Sequence, residues 1–133
     1  MGREIYLNTV SREHIQRNCI IWVDLGARKD HIQSGCRPCI VVSSNKANEH
    51  AHVYTVIPGT TRREKANFPV HYVIRKEDIE GFLRTDTIFM AEQICTIDER
   101  QIISFAGIVR NKEAIKQINK ILIKQLELEN IVV

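Results

Sequence analysis

No run in this sequence approaches the ~20 consecutive apolar residues that a membrane-spanning helix needs. Nor do the first ten residues hold the apolar segment and small-residue cleavage site of a secretory leader. Residence in the cytoplasm, with no membrane partner, is therefore the expectation. Internal repeats, low-complexity tracts and linkers rich in Gly, Pro or Ser are also missing, which excludes solenoids and beaded modules. Charge of one sign is scarce, the net being +3. That permits a nucleic-acid partner without requiring one, so any basic site has to be local. Cysteine is limited to Cys19, Cys36, Cys39 and Cys95. In a reducing compartment these serve as small hydrophobes, and no disulfide is expected.

What remains is a chain of 133 residues, 44% hydrophobic and 26% charged, the balance of one folded domain. Residues 1–17 read as an N-terminal extension, polar over 10–17 and able to form a helical turn capped by Ser11. Residues 18–133 read as a single domain. Its first strand is IIWVDL at 20–25, rich in β-branched and aromatic side chains and followed by a loop at 26–35. PCIVVS at 38–43 is short and almost continuously apolar, as a strand buried on both faces is. Residues 52–57 and 69–74 read as a long hairpin around a polar loop, and 87–91 and 102–109 add two more strands, with a turn at 98–101. Asn111 then caps a helix of about 111–128 in which Ile115, Ile118, Leu122 and Leu126 recur at helical spacing. About six short strands on so small a chain favour a strongly curved sheet or small barrel, with the helix over one opening.

Four segments, in order, resemble the MazF/PemK family of toxins: WVDL at 22–25, GCRPCIVVS at 35–43, IPGTT at 57–61 followed by Pro69, and EQICTID at 92–98. Together they span roughly residues 17–128. The resemblance implies a mainly β fold, a small SH3-like barrel with a C-terminal α-helix. It further implies a homodimer, a cognate antitoxin protein as partner, and metal-independent cleavage of single-stranded RNA with no cofactor. Such a reaction needs a base for the 2′-hydroxyl, positive charge on the phosphorane-like transition state and a proton donor for the departing 5′-oxygen.

Family positions map onto particular residues here. Arg37, before the proline of the Gly-x-Arg-Pro motif, presents a rigid fork of donors suited to phosphate. Pro38 restricts the backbone of Arg37 to the extended region and so limits where the guanidinium points. Thr60, with Thr61 as understudy, is the hydroxyl of the following loop, able to donate to a phosphate oxygen, relay a proton, or satisfy local backbone. His31 matches the histidine of the PemK/Kid branch and titrates near neutrality. Glu92 stands where that branch has an acid; it serves as base, orients a histidine, or pairs with Arg37. Gln93 and Gln33 are placed to contact RNA, and Arg62, Arg63 and Lys65 to follow its phosphates.

The chain also departs from the family. Asn18 and Cys19 stand where the first strand usually opens with a glycine and an acid. Met90 and Cys95 occupy two positions that are commonly basic, and the turn at 81–86 is one residue longer. Cys36 and Cys39 imitate a metal or redox pair, but on an extended segment side chains three apart face opposite sides. His50 and His52 lack a clear third ligand. The alternative function on the same fold is a non-catalytic toxin, either an RNA binder or a gyrase inhibitor like the CcdB toxins.

Overall fold

β-branched and aromatic runs favour strands because their side chains pack well on a pleated, at least half-buried surface. In the computed structural model residues 15–129 are described, and before them only the backbone of 6–7 and 10–11. The chain order is β1 (Tyr6–Leu7), β2 (Val10–Ser11), β3 (Cys19–Asp24), β4 (Cys36–Val41), α1 (Asn45–His50), β5 (Val53–Thr60), β6 (His71–Ile74), β7 (Ile79–Gly81), β8 (Thr87–Met90), β9 (Cys95–Asp98), β10 (Ile102–Val109) and α2 (Lys112–Leu126). Single 3-10 turns lie at Arg63–Lys65, Lys76–Asp78, Ala91–Gln93 and Glu99–Gln101.

All pairings are antiparallel. The main sheet runs β6-β8-β5-β4-β3-β10-β7, and β9 pairs with β5 beside this path. β5 is the corner: Val53–Val56 bond to β9, whereas Gly59 and Thr60 bond to β8. The molecule is thus mainly β, a strongly curved small-barrel sheet with a C-terminal helix, as expected. The expected long hairpin is corrected, however, because β8 lies between β5 and β6. The connection from Thr61 to Val70 is long enough to step over an intervening strand, as a tight hairpin loop is not. β7 and β9 raise the strand count above the expected six.

At the N-terminal end, Val10 and Ser11 pair with Leu7 and Tyr6, strand backbone where a Ser11 helix cap was expected. Residues 12–14 of that segment lie outside the described ones. Ile15 is buried in the core.

Side chains of β3 and β4 alternate between two cores. Ile20 and Ile40 join Ile57, Ile74 and Phe89 beneath α2, whose Ala114, Ile118, Ile121 and Leu122 are buried there. Cys19, Ile21, Val23, Cys39 and Val41 face the other side, with Ile15, Tyr54, Val56, Ile97 and Ile102. Asn111 caps α2 by accepting the Ala114 N–H at 2.8 Å. Ile115 packs partly against the core, while Leu126, the last residue of the expected stripe, is largely exposed.

The short helix α1 was not expected, since Asn45–His50 is almost wholly polar. Ser44 caps it, accepting from Ala47 N–H at 3.1 Å, and its buried Asn48 donates to the Ser43 carbonyl at 3.1 Å. Two glycines let strands meet. A Cβ on Gly81, whose φ is +142°, would lie 2.6 Å from the Cα of Gly107. One on Gly59 would lie 2.6 Å from Thr87 Cγ2 and 3.1 Å from the Pro38 carbonyl.

Candidate active site

The loop before β4 is closed at its base, Leu25 donating to the Gly35 carbonyl and Gly35 to the Gly26 carbonyl, both at 2.9 Å. Arg37 follows as the second residue of β4, opposite Val23. Its Nε donates to the Ser34 carbonyl at 3.1 Å, which holds the half-buried guanidinium against the loop. Among the described residues its two terminal nitrogens have no hydrogen-bond partner. Cys36 is exposed and Cys39 buried, the opposite facing expected of an extended segment. Burial first, and the nearby Cys95 second, push the Cys39 thiol well above its ordinary value.

Thr60 ends β5 opposite Ile88. It is buried, and its Oγ1 accepts the Arg62 N–H at 3.2 Å, a local turn bond that still leaves the hydroxyl proton free to donate. Thr60 and Arg37 line one cavity of about 260 Å³ together with Trp22, Gly59 and Thr61. The close contact at Gly59 sets how near these two strands come.

The third part is the 3-10 turn Ala91–Gln93. Register places His71 of β6 opposite Met90 of β8, so the residues just after Met90 emerge beside His71. Both Glu92 carboxylate oxygens lie 2.8 Å from His71 Nε2, and His71 Nδ1 lies 2.6 Å from the Lys65 carbonyl. Gln93 reaches the other way. Its Nε2 donates to the His31 carbonyl at 3.0 Å, and its Oε1 accepts the Gln33 N–H at 3.0 Å. The partner of Glu92 is thus His71, and neither Arg37 nor His31; both ends of the Gln93 amide are engaged with loop backbone.

These elements enclose a polar cleft of about 450 Å³ lined by His31, Gln33, Arg37, Arg62, Lys65, Met90, Glu92 and Gln93. Arg37 and Arg62 form the wall shared with the Thr60 cavity. Arg62 has its charge taken up by Glu64, with contacts of 2.6 and 2.9 Å. Arg63 is not brought into the cleft. It lines a third cavity of about 380 Å³ with Lys76, Arg84 and Asp86, three cations and one carboxylate that the sequence reading did not assemble. At the two positions without a base, Met90 is buried and Cys95 half-buried at the edge of the second core. His50 and His52 lie against Glu49 and Glu99, at 3.6 and 3.2 Å.

His71 is the residue the sequence reading missed. A histidine between Val70 and Tyr72 in a predicted strand gives no sign of its partner until the β6–β8 register is known. The sequence model of a toxin family matches residues 16–126, from before β3 to the last residue of α2. The chain belongs to the PemK-like, MazF-like toxins of type II toxin-antitoxin systems.

Solved members and neighbours have the same fold. A Mycobacterial endoribonuclease in complex with its cognate antitoxin superposes with a TM-score of 0.65 at 22% identity, covering 86% of this chain and 95% of that one. MazF from Deinococcus radiodurans gives 0.70 at 16%, covering 86% and 97%. A Mycobacterium tuberculosis MazF toxin gives 0.65 at 13%, covering 84% and 98%. No described helix of this MazF-like chain is long and apolar enough to cross a membrane.

Proposed function

We propose that this toxin is a sequence-selective endoribonuclease that cuts single-stranded RNA, mRNA in particular, at the cleft between the 26–35 loop and the Ala91–Gln93 turn. One observation carries the reading: Glu92, far along the chain from His31 and Arg37, lines one polar cleft with them. The names of the solved neighbours as endoribonucleases support it.

In the proposed reaction the 2′-oxygen attacks the adjacent phosphorus and the bond to the 5′-oxygen breaks. The products are a 2′,3′-cyclic phosphate and a 5′-hydroxyl. Arg37 turns its two unpartnered terminal nitrogens to the phosphoryl oxygens as charge develops there. Thr60 donates its hydroxyl proton to a phosphate oxygen from the adjoining cavity. Glu92 and His31 take the 2′-proton and supply one to the 5′-oxygen, since a guanidinium stays protonated and suits neither task. No step requires a metal. Arg62, Lys65, Gln33 and Thr61 border the path of the strand, and Arg63 with Lys76 and Arg84 extends it into the third cavity. The same reading makes the toxin a cytoplasmic homodimer neutralised by a cognate antitoxin protein.

The test is induced expression followed by sequencing of RNA ends, then cleavage by the purified protein in chelator. Recurrent cuts bearing 5′-hydroxyl ends are expected. Intact RNA with trapped DNA–gyrase complexes would instead identify a gyrase inhibitor.

A further inference from the structure

His71 has no part in the reaction just described, yet it is the best-anchored polar side chain near it. The side chain is 2% exposed, and the Phe68 ring stands edge-on to it at 4.9 Å. A carbonyl only accepts, so the nitrogen 2.6 Å from the Lys65 oxygen carries a proton. The other nitrogen faces two carboxylate oxygens at 2.8 Å, and a single proton must lie on that line, on the ring or on Glu92. Glu92 itself is only partly covered, its side chain 37% exposed. A carboxylate in that position swings freely unless something buried holds it.

We propose that His71 is a positioning residue for RNA cleavage, holding the Glu92 carboxylate toward the cleft while tying it, through the Lys65 carbonyl, to the segment that carries Thr61, Arg62 and Lys65. The inference rests on the nuclease reading. It deepens that reading by assigning the group that sets the geometry of one of its proton-transferring carboxylates. Because Lys65 contributes main-chain oxygen, movement of the 61–66 segment is transmitted to Glu92 whatever side chains the segment bears. Phe68 keeps water from competing for the ring nitrogens.

The test uses the full chain and a short single-stranded RNA containing the mapped cleavage site, alongside the same oligonucleotide with a 2′-deoxy sugar at the cut. His71→Ala should lower the single-turnover cleavage rate by about tenfold or more, part of the ~10²–10⁴ that a well-placed proton-transferring group contributes. Affinity for the 2′-deoxy oligonucleotide should stay within about threefold, because no positive charge that meets the phosphates is removed. His71→Gln, whose amide can donate to Glu92 from nearly the same place, should regain most of the lost rate.

Parental cleavage by His71→Ala, or equal slowing in two folded variants, overturns the proposal. Should His71→Ala not fold, 15N spectra of the histidine rings decide it. Glu92→Gln must move the Nε2 resonance of His71, and an unmoved resonance overturns the pairing in solution. A parental protein that cuts no RNA sinks the nuclease reading itself, a result distinct from either of these.

Discussion

Arg37 and Arg62 stand in the same cavity wall, and what separates them is where each charge is spent. Arg62 is paired with Glu64 at the exposed surface, whereas Arg37 lines the cleft with no carboxylate partner among the described residues. Arg37→Ala should therefore lower single-turnover cleavage by about 10²–10³-fold, the range for removing a preorganised donor from a developing oxyanion. Arg62→Ala should lower it by less than about fivefold, as expected of a charge at an exposed pair. Equal losses in the two variants would refute the assignment. Thiol chemistry gives a second residue-level check. Iodoacetamide should label Cys36 in the folded protein, while Cys19 and Cys39, whose thiols burial pushes up, should react only after denaturation, read by mass spectrometry. Arg37 was legible in sequence because its motif is local, a glycine two residues before and a proline after. His71 was not, because its role depends on which residue of a distant strand lies opposite.

Among the elements, the 3-10 turn Ala91–Gln93 reaches in two directions, Glu92 to His71 of β6 and Gln93 to the 26–35 loop. Gln93→Ala removes the acceptor of the Gln33 N–H. Amide exchange at Gln33 should then speed by about tenfold while the β3 and β4 amides keep their protection, a local opening and not a global one. The cap of α2 offers a stability test. Asn111→Ala should cost about 1 kcal/mol, measured by urea denaturation with an unchanged slope. Sequence periodicity found α2 and β10 almost to the residue, since both carry apolar side chains at the right spacing over many residues. It missed α1, β7 and β9, which are short and hold few apolar positions. It also joined β5 to β6, because adjacency in sequence is the only pairing signal a single chain supplies, and β8 displaces it.

For the molecule as a whole, the fold class followed from the density of short strands, but the two-sided burial of β3 and β4 followed only in part. The continuous apolar run of β4 announced it; Asp24, at the end of β3, disguised it. Two cores share these strands, so damage to one should not be confined to it. Ile118→Ala, in the core beneath α2, should destabilise by about 2–5 kcal/mol and lower the denaturation midpoint as one cooperative transition. Two resolved transitions would show that the cores melt independently. The anchors of the cleft have one more consequence. On the two rims themselves, His71 and Gln93 hold main-chain atoms, the Lys65 and His31 carbonyls and the Gln33 N–H. Rim side chains outside the catalytic set can then change while the spacing of the rims is kept, as a drill chuck accepts different bits. Randomising positions 28–30 and 62–64 should yield a library of folded variants that differ in which RNA motif they choose.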